Sequence, residues 1–174
     1  LVDDLIPDKV PMDLLHSVLR MLLEEQVSIR NLPLILEAVA EARAMGSAEA
    51  VCEHVRQRLG FQIVSALKRA DGTIPLIQLA PDWEQTFAAH QMDGDRTNRH
   101  VALPPDIFAR LANGIAERVT RAVESGAHPA LVTSATRRRF LRTVVQAKGI
   151  QTPVLSYEEI GLDTRPALLG QVAA

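Results

Sequence analysis

The chain has 174 residues, 47% of them apolar, with 19 basic against 21 acidic side chains. That length holds one compact domain or two small ones and leaves enough apolar material for a sizeable core. The nearly balanced, interspersed charge excludes a strong field for nucleic acid or anionic lipid, and the single cysteine, Cys52, excludes a disulfide framework and a thiolate-rich zinc site.

Leu, Val, Ile and Ala dominate the apolar set and aromatic residues are scarce. This favours helices and buried α/β strands. No apolar run approaches the roughly 20 residues of a membrane span, and no signal peptide is visible. Leu1 begins with a motif already under way, so a fragment is expected, with any membrane part upstream.

Pro11 suits a first helical turn. Leu14, Leu15, Val18, Leu19, Leu22 and Leu23 then recur at helical spacing. A second helix carries Leu32, Ile35, Leu36, Val39 and Ala40 inward, with Ser28 or Asn31 as its cap and Gly46 at its end. Ser47 caps a third helix with Glu49 in its first turn. Val51, Cys52, Val55, Leu59 and Ile63 mark its inner face, and it runs to about Lys68 despite Gly60.

Asp71-Gly72 is a turn signal and the expected boundary between domains 1–72 and 73–174. Beyond it the periodicity changes. Ile74, Leu76, Ile77 and Leu79 read as a strand, and Pro81-Asp82-Trp83-Glu84 opens a helix ending near His90. Residues 91–100 are polar and turn-rich, as a loop. Pro104-Pro105-Asp106 opens a long helix with Ile107, Leu111, Ile115, Val119 and Val123 as its apolar stripe. Residues 130–132 read as a strand, 135–148 as a helix and 154–155 as a strand, with a last strand near Leu168–Val172. Residues 130–156 have the length of a βαβ crossover. The fold class is α+β or α/β, a helical subdomain followed by a small α/β subdomain with a βαβ unit.

Chemistry is sparse. The five histidines include no i, i+4 pair and no CxxC exists, so no metal site is expected. Thr133-Ser134, between strand and helix, offers either an anion site or nucleophilic hydroxyl, or simply a helix cap. No glycine-flanked nucleophile turn or phosphate loop accompanies it. Arg137, Arg138 and Arg142 form the densest basic cluster with Arg139, as a candidate partner-binding surface or a solvated face. Trp83 reads as a core anchor, and Glu158-Glu159 as acids complementing a helix start. No catalytic, cofactor-binding or metal residue is assigned, and an enzyme is not expected.

Several stretches together resemble the type III secretion export-gate family, known as FlhA in flagella and InvA in injectisomes. They are residues 1–7 (LVDDLIP), 15–41 (LHSVLRMLLEEQVSIRNLPLILEAVAE), 55–63 (VRQRLGFQI), 75–87 (PLIQLAPDWEQTF), 130–142 (ALVTSATRRRFLR) and 154–160 (VLSYEEI). The chain departs from the family at Gln26, where Gly is frequent, and at Asn31, where Asp is. The resemblance implies most of the third and all of the fourth cytoplasmic subdomain of a bacterial inner-membrane protein, attached to the membrane only through an upstream region. It implies a homo-oligomeric, commonly nine-membered ring, with other export-apparatus proteins and chaperone–substrate complexes as partners. The 75–87 stretch leans to the flagellar branch, and an injectisome homologue is the alternative. A helical nucleic-acid-binding module is a further alternative. Against it, Glu37, Glu41, Glu49 and Glu53 share the expected exposed face with Arg43 and Arg56.

Overall fold

Residues 10–92 and 100–174 of the computed structural model are described here, and the 1–7 motif lies outside them. The chain divides into two units, one ending at Ser65 and the other spanning Ala66–Ala174. Asp71 and Gly72 fall inside the second, in the turn before its first strand.

The first unit is helical: α1 (Met12–Glu24), α2 (Leu32–Ala42), α3 (Ala48–Arg58) and the short α4 (Gly60–Ser65). Leu15, Val18 and Leu22 form the buried stripe of α1. They meet Ile35, Leu36, Val39 and Ala42 of α2 and Val51, Cys52 and Val55 of α3 in being fully or almost fully withdrawn from solvent. Ser47 caps α3, its hydroxyl accepting the Ala50 N–H at 3.1 Å. The third helix does not run unbroken to Lys68. It stops at Leu59, and α4 ends at Ser65.

Helix α1 ends in a Schellman motif. The Gln26 N–H bonds the Leu23 carbonyl and the Val27 N–H bonds that of Leu22, while Val27 and Leu22 are both buried. The motif needs a left-handed residue, and Gln26 supplies it at φ 59°. This is the position where the resembled family favours glycine, which adopts that conformation without a Cβ penalty. Asn31 stands at the start of α2, but its side chain makes no capping hydrogen bond. The Ser28 hydroxyl accepts the Arg30 N–H at 3.3 Å, ahead of the helix start.

The second unit holds β1 (Thr73–Leu79), α5 (Asp82–Ala89), α6 (Pro105–Glu124), β2 (Ala130–Thr133), α7 (Ala135–Lys148), β3 (Val154–Ser156) and β4 (Arg165–Val172). Its sheet has the order β3-β2-β1-β4, and every pairing is parallel. Parallel strands covered on both faces need continuous apolar runs. All of β2 and β3 is buried, as are Ile74 to Ile77 of β1. β2, α7 and β3 make the expected βαβ unit.

Strand β4 is an edge, mostly exposed or half-exposed. Between Leu76 and Gln78 its register against β1 shifts by one residue. The extra residue lies around Gly170, at φ 141°, and such a bulge blunts an edge. The core joins Ile77, Leu131 and Val154 of the sheet to Trp83, Phe87, Leu111, Ile115, Leu141, Val144 and Val145 of the helices. Trp83 and Phe87 stack at 5.8 Å, and Phe140 meets Phe87 edge-on at 5.3 Å. The indole N–H of Trp83 donates to the Ala173 carbonyl at 3.1 Å.

The α6 stripe differs from its reading. Leu111 and Ile115 are fully buried, but Val123 is 52% exposed. Residues four apart drift about 40° per step around a helix of 3.6 residues per turn. The far end of that row therefore leaves the core, and Ala122 takes the inner position. Residues 93–99 of the expected loop lie outside the described residues. Its flanks pair, with Gln91 bridged antiparallel to Val101.

Candidate functional site

The expected basic face is corrected at two of its three positions. Arg137 and Arg138 lie on the buried side of α7, and Arg142 is half-buried. Arg137 sits at the start of the helix, where it reaches α5. Its guanidinium donates to both Glu84 oxygens, at 2.6 to 3.0 Å, and to the Gln91 amide oxygen at 2.9 Å. Its planar fork matches a carboxylate in a way an ammonium does not. The pair ties α7 to α5 and to the Gln91–Val101 bridge.

Arg138 points the other way, toward β3. It donates to the Val154 carbonyl at 3.0 Å and faces the Glu159 carboxylate at 3.7 Å, with both side chains fully buried. The sequence pattern reads these arginines as solvated because a run of like charges on a helix usually is. The acids that receive them, exposed Glu84 and buried Glu159, come from segments 53 residues upstream and about 20 downstream, and no periodicity announces them.

Glu158 and Glu159 open no helix of their own; they form a turn after β3. The turn is built on reciprocal bonds between Ser156 and Glu159. The Ser156 hydroxyl accepts the Glu159 N–H at 3.2 Å, and the Glu159 carboxylate accepts the Ser156 N–H at 3.3 Å. This is capping-box chemistry, and the S-x-x-E spacing in VLSYEEI is the sequence signal for it. Glu158 instead accepts the Ala135 N–H at 2.8 Å. It thereby caps α7 from a distance, with its charge at the positive end of the helix dipole. Ser134, expected as the cap, makes no side-chain capping bond. Its helix end carries an acid already, which opposes anion binding there.

The first unit has its own charged network. Glu41 of α2 accepts from Arg58 and from His54 of α3. The Arg58 bond, then the His54 bond, holds the Glu41 carboxyl below its ordinary value. Arg56, read as exposed, is 2% exposed and faces Glu25 at 3.8 Å.

Among the described residues no three His, Cys, Asp or Glu side chains converge as a metal site. No helix there is long and apolar enough to cross a membrane. The charged side chains of this site join secondary-structure elements to one another, which is the work of a precisely held scaffold.

Comparison with known proteins agrees with the fold. Residues 1–165 match the FHIPEP family. The flagellar biosynthesis protein FlhA of Caulobacter vibrioides is 39% identical over 173 residues, covering 99% of this chain and 25% of its own. The chain thus spans about a quarter of that relative's length. The CdsV protein of Chlamydia pneumoniae, solved in complex with CdsO, superposes with a TM-score of 0.82 at 26% identity, over 94% of this chain and 48% of that one. The nonameric EscV cytosolic domain from a type III secretion system superposes with a TM-score of 0.81 at 21% identity, over 98% of this chain and 50% of that one. The chain belongs to the FHIPEP family and corresponds to the C-terminal part of the FlhA/InvA export gate.

Proposed function

We propose that the chain is a non-enzymatic assembly module of a flagellar export gate, on the cytoplasmic side of the bacterial inner membrane. In this reading it takes part in forming a homo-oligomeric ring and in handling export substrates with their chaperones. The observation that carries it is the 39% identity to a flagellar FlhA over nearly the whole chain. The nonameric assembly of the EscV domain and the CdsV–CdsO complex support a ring and an export-apparatus partner. The EscV domain, which comes from a type III secretion system, also favours the second reading, an injectisome gate.

A surface suited to assembly accompanies this. Met12, His16, Leu19 and Leu23 follow one another at helical spacing on α1, beside its buried stripe. Met12 is 58% and Leu23 54% exposed. Such a row, apolar at three of its four positions, on a helix whose other stripe is already packed fits contact with a second copy. For direct partner contact by the arginine run, Arg142 is the remaining member of the original three.

The test is a chimera. The matched segment of Caulobacter vibrioides FlhA is replaced by this chain, and swimming in soft agar is measured. Restored swimming, lost again on Leu23→Glu, supports a flagellar gate whose ring uses α1. A chimera that accumulates to normal levels in the membrane without restoring any swimming sinks the flagellar reading.

A further inference from the structure

At the N-terminal end of the sheet, opposite the arginine–carboxylate network, the second unit opens into a cleft of about 630 Å³. Four segments meet there: residues 66–69, the start of β1, the link from α6 to β2, and β4. Pro75 is buried and Leu67 and Leu169 are half-buried, so they form an apolar floor. Lys68, Arg69 and His128 are exposed, so they form a basic rim. No Asp or Glu lines it. The carboxylate in the adjoining turn, Asp71, accepts the Thr73 N–H and hydroxyl at 2.9 and 2.6 Å. Those bonds hold its carboxyl below its ordinary value.

Ser125 and Gly126 also line the cleft, where α6 ends; the carbonyls of Arg121, Ala122 and Val123 in its last turn already accept the Ser125, Ala127 and Gly126 N–H groups. A ligand that fits must bring an apolar group for the floor and negative charge for the rim. An acidic peptide segment with an apolar anchor brings both. A phosphate or nucleic-acid backbone brings only the charge, and no Phe, Tyr or Trp lines the cleft to stack a base.

We propose that this cleft docks a short segment of a partner protein that carries an apolar side chain flanked by carboxylates. The volume is in the range of built ligand sites, and charge complementarity selects the partner's sign. The proposal goes beyond the export-gate reading and does not depend on it, because peptide binding and motility are read separately.

The test uses the 174-residue chain and three fluorescein-labelled probes: a 12-residue peptide alternating Glu and Leu, its Lys-Leu counterpart, and a 12-nucleotide oligothymidylate. Fluorescence polarisation gives affinity, and amide resonances locate the site. The Glu-Leu peptide binds, shifts the Gly126 and His128 amides, and weakens at least tenfold between about 50 and 500 mM salt, as expected for screened exposed charges. The Lys68→Glu/Arg69→Glu double variant, at exposed positions that keep the helical circular-dichroism signal, weakens it at least tenfold. An intact double variant that binds as tightly as the parent overturns the proposal. So do shifts confined to other residues, tighter binding of the oligothymidylate or the Lys-Leu peptide, and no binding of the Glu-Leu peptide at millimolar concentration.

Discussion

Gln26 holds a backbone conformation that L-residues avoid, at φ 59°. The left-handed conformation costs a non-glycine residue about 1–2 kcal/mol, part of which glycine gives back through the entropy of the unfolded chain. Gln26→Gly is expected to stabilise the first unit by about 0.5–1 kcal/mol, seen as a higher urea midpoint with an unchanged slope. The same motif closes α7 with Gly149, where the Gly149 and Ile150 N–H groups bond the Gln146 and Val145 carbonyls. A second single-residue effect lies at Glu41, whose carboxyl is held below 4.5 chiefly by the Arg58 bond. A depressed folded-state value contributes stability in full above the unfolded value, and that contribution disappears as pH falls through the folded one. Glu41→Gln is therefore expected to lower the urea midpoint at pH 6, with the gap to the parent closing below about pH 4.5. A gap that widens on acidification would contradict the assignment.

At the scale of elements, the turn after β3 is fastened from beneath by a buried ion pair. Removing one partner of such a pair leaves the other charge buried and costs about 3–5 kcal/mol, whereas removing both is often close to neutral. Arg138→Met is expected to fall in that range by urea unfolding, and Arg138→Met/Glu159→Leu to recover more than half of it. Two losses that simply add would mean that the side chains do not act as a pair. The contrast between what sequence reveals and what it hides is sharp at this level. Strands and helices of the second unit were readable because an apolar run bounded by Pro and Gly has few other outcomes, and the 135–148 helix has the bounds of α7. The fates of Arg137 and Arg138 were not, because a run of arginines is the same in sequence whether its acids are in solvent or in the core. The Ser134 cap failed for the same reason. Its local signal was sound, but a carboxylate 23 residues away reaches the Ala135 N–H instead.

At the scale of the whole molecule, the chain pairs a helical unit with a parallel-sheet unit, and the charged side chains described at its site connect elements within one unit or the other. That arrangement suits a part whose task is to hold surfaces in place. The contrast between its two apolar or charged surfaces follows the same division. The α1 row is mostly apolar and suits another copy of the chain, while the cleft in the second unit is rimmed by Lys68, Arg69 and His128 and suits a carboxylate-bearing partner. Each can be altered without entering a core.

The sheet order has a consequence for synthesis. β1 is made first and sits second from the edge, with β2 on one side and β4 on the other. Its pairing to β4 joins Thr73 to Arg165 and Leu79 to Val172. Until residues 165–172 have left the ribosome, one flank of a strongly apolar strand stays open, while the helices of residues 12–65 have already been made. The nascent chain therefore passes through a stage in which these helices have emerged beside a sticky, unclosed sheet. A stop codon just before β4 would make that stage permanent, and its product would be prone to aggregate.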